Sequence, residues 1–282
     1  MFDFPRPASR WPAVPRLTPL TARTDLLHPC MGEAIDVSIS SADNHRPGAH
    51  ETPAWIGPYA AVRSALDVAH HGFYSHERQR LQDGLVQRHA ERSTARQQHP
   101  LTRQQWPWII FSAGAMGAGK SHCIRWPYSR GYLPILNHAV PIDPDLIRQR
   151  LPEWPLYTAA DPLRAGELTG AESGYICEIL QEWGLSGGFH IWQDGSLRNH
   201  YWYEEVFKKV RRRFPSYRIA IVHVQADRDT VVARAQKRGE RTGRVVPLET
   251  ILSSLEQVPQ SVSSLQVLSL SLPSSSLFAL LN

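Results

Sequence analysis

Eight consecutive residues, Gly114-Ala115-Met116-Gly117-Ala118-Gly119-Lys120-Ser121, follow the spacing G-x-x-x-x-G-K-[ST]. That pattern is a phosphate-binding loop. Glycines let backbone N–H groups close around phosphate oxygens with no side chain in the way. The helix expected to start at Lys120 and Ser121, and to continue through His122, adds a favourable dipole for an anion. Lys120 would reach the β- and γ-phosphates of ATP, and the Ser121 hydroxyl would ligate Mg²⁺.

A phosphate loop alone fits kinases, GTPases and motor ATPases. Three features narrow the field. The sequence contains no N-K-x-D stretch for guanine recognition. Asp143 and Asp145 stand at the end of the second expected strand, and ligands of parallel sheets gather at the carboxyl ends of strands. An arginine-dense segment, Arg234 to Arg244, follows the fourth expected strand. Arg234, Arg238 and Arg244 could close over ATP and neutralise charge on the transferring phosphoryl oxygens.

These residues resemble the zeta-toxin kinases, in a eukaryotic zeta-toxin-domain branch, over roughly residues 105–260. The resemblance rests on the phosphate loop and on Ile142-Asp143-Pro144-Asp145 followed by Arg148 and Pro152. It rests also on Asp194-Gly195-Ser196 and on Thr242-Gly243-Arg244 before Pro247. Bacterial members phosphorylate a hydroxyl of a UDP-activated amino sugar with ATP. The resemblance implies that Asp145 accepts the substrate hydroxyl proton and that Asp143 orients it or faces the metal. It places Glu178, with Glu172 competing, as a substrate-contacting glutamate. Asp194 and Ser196 stand where the bacterial toxins have Glu and Thr. Arg244 matches the lid arginine that touches the γ-phosphate, with Arg234 or Arg238 as its partner. Residues 1–105 have no counterpart in the compact bacterial toxin.

The elements that must position these groups read as α/β. Trp106–Ala113 is an apolar run of strand length ahead of the loop. Ala139–Asp143, Phe189–Trp192 and Arg218–Val224 are further strands, and the last is near-continuous and β-branched, as buried parallel strands are. Helices are expected from Ser121, ending or kinking near Trp126 because Pro127 removes a donor, and over Pro144–Arg148, Ala171–Trp183, Tyr203–Arg213 and Thr230–Arg238. The alternation predicts a P-loop kinase-like parallel sheet flanked by helices. Upstream, Tyr59–Val68 and Ser75 to about Arg92 read as two helices, the second with a narrow apolar stripe at Leu81, Leu85 and Val86. Leu248–Gln257 reads as a short helix. Leu268-Ser269-Leu270-Ser271-Leu272 reads as an edge strand or a tail.

The organisation expected is therefore an irregular Pro-rich segment (1–55), a helical extension (56–104), a kinase domain (105–260) and a Ser/Leu-rich tail (261–282). Three scattered cysteines follow no metal-ligand spacing. No apolar run is long enough to span a membrane. A cytoplasmic location is expected, with organelle targeting as the alternative. The net charge of +5 is unevenly spread: residues 201–244 carry 12 Lys/Arg against 5 Asp/Glu. That suits a lid over a polyanion, with a solvated basic face or a nucleic-acid patch as alternatives, and nucleic acid is not the partner expected. The expected partners are ATP, Mg²⁺ and a small-molecule hydroxyl acceptor, with a protein partner for residues 1–105. The alternatives are a nucleoside or polynucleotide kinase and a non-catalytic ATP-binding switch.

Overall fold

A computed structural model of the protein describes residues 35–96, 103–242, 245–270 and 276–281. Five strands, β1 (Trp108–Ala113), β2 (Ala139–Ile142), β3 (His190–Gln193), β4 (Arg218–Val224) and β5 (Ser276–Leu281), form one sheet in the order β2-β3-β1-β4-β5. All neighbouring pairs are parallel. The chain leaves β1, crosses to the far edge at β2, and returns through β3. The phosphate loop therefore follows a central strand at the point where strand order reverses, the usual place for a ligand crevice. β2 tolerates Pro141 because it is an edge strand.

Helices flank the sheet. In chain order they are α1 (Ser41–Asn44), α2 (Ala60–Arg63), α3 (Val68–His71), α4 (His76–Arg96), α5 (Lys120–Ser129), α6 (Pro144–Arg148), α7 (Trp154–Ala160), α8 (Ala165–Leu168), α9 (Gly170–Gly187), α10 (His200–Arg213), α11 (Arg228–Thr242) and α12 (Leu248–Leu270). The core gathers Ile109 and Phe111 of β1, Val140 and Ile142 of β2, Ile176, Ile179, Leu180 and Trp183 of α9, and Phe207 and Val210 of α10.

Several expectations need correction. The helix expected over Tyr59–Val68 is two short helices, because the Asp67 side chain accepts from the amides of Ala69 and His70 and starts α3 afresh. α5 does not stop at Trp126. It continues to Ser129 across Pro127, with no buried residue along it, and Gly131 (φ 74°) closes the turn. The freed carbonyl and the proline ring lie where the surroundings can yield.

The Ser/Leu segment is helical, not extended, to Leu270, and the edge strand lies further on at Ser276–Leu281. Ile251, Ser254, Val258, Ser261, Val262 and Leu265 are all buried, a 3–4 spacing that the Ser/Leu alternation hides.

α4 is anchored by polar groups more than by its apolar stripe. Leu85, Val86 and Ala90 are buried, but so are Arg78, Gln79, Gln82 and Asp83. Arg78 donates to Glu172 of α9 (Nε–Oε1 2.6 Å, Nη2–Oε2 2.8 Å) and to Glu153 beside α7 (Nη1–Oε1 2.6 Å, Nη2–Oε2 3.1 Å). His45 joins through Glu153 Oε1 at 2.8 Å. A buried guanidinium is tolerated because both of its partners are charged and its donors are matched.

Candidate active site

The phosphate loop is built on left-handed glycines. Gly114, Gly117 and Gly119 have φ of 144°, 93° and 96°. A Cβ on Gly114 would lie 2.5 Å from the Val224 carbonyl of β4, and one on Gly117 would lie 2.3 Å from the Val231 carbonyl of α11. The loop is thus pressed between β4 and α11, and Ala115 and Ala118 pack with Val224, Val231 and Ala235. Met116 lies between them, half-buried. Ser121 and His122 open α5 at the exposed rim. Lys120 Nζ donates to the carbonyls of Gly114 (2.7 Å) and Ala115 (3.3 Å). Burial pulls its pKa down, and Arg238 adds to that, while Asp194, Asp145 and Asp143 oppose it. The ammonium and the three acids therefore share one electrostatic neighbourhood.

The two acids after β2 have different positions. Asp143 is the N-cap of α6: its Oδ1 accepts from the amides of Asp145 (2.8 Å) and Leu146 (3.3 Å). Burial, then the nearby Asp194 and Asp145, push its carboxyl pKa up. With the capping done by Asp143, the Asp145 carboxylate is turned to two arginines. Arg148 Nη1 meets Oδ1 at 2.9 Å from one turn along α6, and Arg238 Nη2 meets Oδ2 at 3.2 Å from α11. Arg148 is buried, whereas the Arg238 side chain is 42% exposed. One arginine is thus fixed and the other sits at the surface. Arg234 donates to the Ala118 carbonyl of the phosphate loop at 3.5 Å. Arg244 lies outside the described residues.

Residues 194–198 form the third side. Ser112 of β1 donates its hydroxyl to Asp194 and accepts from the Gly195 amide at 3.1 Å. The Gly114 amide donates to the Ser196 carbonyl at 3.1 Å, tying this segment to the phosphate loop. Leu197 has φ 58° and is fully buried. A leucine in the left-handed region is uncommon, and packing on all sides holds it there. The Tyr203 hydroxyl reaches Gly195, whose added Cβ would lie 3.1 Å from it, and burial raises its pKa to about 12.

The structure brings Lys120, Asp143, Asp145, Asp194 and Arg238 together at the carboxyl end of the sheet. Glu178 of α9 is paired with His71 Nε2 at 3.1 Å. Glu172, its competitor, is committed to Arg78 and Gln82 in the buried network. Sequence reasoning gave no role to Ser112 and none of its own to Arg148. The signal for Arg148 was present, since i and i+3 are neighbours on a helix; nothing local marks Ser112.

Beside the loop opens a cavity of about 910 Å³, bounded by Gly119, His122, Gln225, Thr230, Arg234 and Leu255 among others. It extends from the loop between α11 and α12, and Asp145 does not line it. Among the described residues no helix is long and apolar enough to cross a membrane.

Two solved structures share the fold. One belongs to the PezAT chromosomal toxin–antitoxin system of Streptococcus pneumoniae: 17% identity, 66% of this chain and 73% of that chain, TM-score 0.52. The other is the AvrRxo1-ORF1:AvrRxo1-ORF2 complex with sulphate ions: 15% identity, 86% and 72% coverage, TM-score 0.58. The same complex with ATP gives a TM-score of 0.56 at 15% identity, with 84% and 70% coverage. No curated protein sequence matches. The family model described as Zeta toxin matches residues 91–272, well over half of the 282 residues, and on that ground the chain belongs to the zeta toxin family.

Proposed function

We propose that this protein is an ATP-dependent kinase that transfers a phosphoryl group to a hydroxyl of a small molecule, with nucleotide sugars as the expected acceptor class. The observation that carries the reading is Asp145. Its charge acts on the buried ammonium of Lys120, and its carboxylate is met from α11 by Arg238.

The residues present fit ATP and Mg²⁺. The left-handed glycines, the start of a ten-residue helix and Lys120 form an anion site. The cavity between α11 and α12 has room for a nucleoside. ATP supplies the phosphoryl group, and Mg²⁺ would supply charge neutralisation. Loop amides and Lys120 would hold the phosphates, and the Ser121 hydroxyl would ligate the ion. Arg148 pins Oδ1 of Asp145, so Oδ2 is the atom that accepts the proton of the attacking hydroxyl. Arg238, now on that same Oδ2 with its side chain 42% exposed, is the arginine that meets the phosphoryl oxygens. Arg234 already reaches the loop, and Arg244 is the further lid arginine. Asp194, held by Ser112, and Ser196 face the acceptor. A loose transition state demands positioning and charge neutralisation more than a strong base, and a carboxylate suffices.

Radiolabelled ATP incubated with the small-molecule fraction of a cell extract tests this. Wild type should give a labelled product and Lys120→Ala none. No labelled product from wild type, or undiminished product from the variant, would refute it.

A further inference from the structure

We propose that helix α3 of the N-terminal extension completes the acceptor side of the active site, with His71 as the positioning residue for Glu178. This rests on the kinase reading above and adds a part that lies ahead of residues 91–272.

The argument starts from the direction of α9. A Cβ on Gly184 would touch Ile191, in the middle of β3, whereas the Gln181 amide reaches Gln193, at its carboxyl end (3.4 Å). Moving toward the N-terminus of α9 thus climbs toward the active-site edge, about 5 Å per turn. Glu178 is one turn beyond Gln181. It stands level with the segment Asp194–Ser196 that follows β3. Its neighbour Cys177 is close enough to Asp143, Arg148 and Asp145 for their charges to act on it. Glu178 is therefore at the rim of the hollow, and its carboxylate is partly open to solvent.

Two groups from α3 meet this rim. The buried His71 pairs with Glu178 Oε1 at 3.1 Å and packs against the Tyr175 ring, with centroids 4.7 Å apart. The neighbouring His70 lies over Trp202 in the first turn of α10, with centroids 5.3 Å apart. Lys209 of α10 reaches the Ala65 carbonyl just before α3. The extension is thus stitched to α9 and α10, the two helices on either side of the Asp194–Arg198 segment. A carboxylate with an imidazole 3.1 Å from its Oε1 keeps its second oxygen for hydroxyl donors. The chemistry fits a polyhydroxylated acceptor, gripped by Glu178 beside an aromatic wall.

The full chain tests this with radiolabelled ATP and a dilution series of the same extract fraction. His71→Ala should raise the extract concentration needed for half-maximal labelling by about fivefold, the scale of losing a partly exposed charged contact. The KM for ATP should stay within about twofold, a limit well below that loss. His71→Gln, which keeps an N–H for Glu178, should restore most of the loss. In a Glu178→Ala background His71→Ala should add little. An unshifted half-saturation in a folded His71→Ala protein would overturn the proposal alone. So would a matching rise in the KM for ATP, or no rescue by glutamine. No labelled product from wild type would overturn the kinase reading and, with it, this proposal.

Discussion

Replacing Arg78 by methionine, which keeps much of the volume and removes the charge, should cost the fold a large share of its stability. Arg78 is fully buried and bridges Glu172 (0% side-chain exposure) and Glu153 (3%). Without it, among the described residues the side chains left to bond the two buried carboxylates are His45 and Gln82. Breaking a buried ionic pair in this way costs about 3–5 kcal/mol.

A second route gives a similar figure. Burial alone would raise the Glu153 carboxyl, but hydrogen bonds from His45 and Arg78 outweigh it and bring the pKa down from 4.5 to about 2. A carboxyl so held contributes about 3 kcal/mol to folding at neutral pH. Because its folded pKa is depressed, that contribution is complete above about pH 4.5 and fades as pH falls toward 2. The deficit of Arg78→Met should therefore be about 3–5 kcal/mol at pH 7 and smaller at pH 4, where protonation begins to relieve the orphaned acids. Urea unfolding of both proteins at the two pH values measures it. A loss under about 1 kcal/mol at pH 7, or one that does not shrink at pH 4, would refute the reasoning, since it would mean the acids bear no buried charge.

Two other substitutions probe the site itself. Gly117→Ala puts a methyl 2.3 Å from the Val231 carbonyl at a φ of 93°, so the loop must move off α11; ATP affinity should fall by about tenfold or more, as follows from about 1–3 kcal/mol of local strain, and isothermal titration with ATP checks it. Arg148→Ala removes the 2.9 Å hydrogen bond to Oδ1 of Asp145 and should lower kcat by about tenfold or more while leaving the KM for ATP near wild type, because it disturbs the positioning of the base and not the nucleotide; steady-state kinetics separates the two constants.

The phosphate loop was legible because eight adjacent residues carry it, and β1 and β4 because their apolar runs match buried parallel strands. What could not be read was any burial that depends on distant partners. Arg78, Gln79, Gln82 and Asp83 look like a solvated helix face. They are core because Glu153 and Glu172 arrive from 75 and 94 residues further on. The same applies to Asp194, whose donor Ser112 lies 82 residues away across the sheet. α12 misled for a different reason: serine and leucine alternate locally, while burial follows the longer helical period. The division of labour between Asp143 and Asp145 needed coordinates too, since either could have capped α6.

The central claim is that Asp145 takes the proton of the attacking hydroxyl. The most direct measurement compares Asp145→Asn with wild type in two assays on the same preparation, ATP binding by titration and labelled product by single turnover with the extract fraction. The account predicts ATP affinity within a few-fold of wild type and transfer slowed by about 10²–10⁴, the range for losing a general base. Transfer at the wild-type rate with ATP bound normally would contradict it.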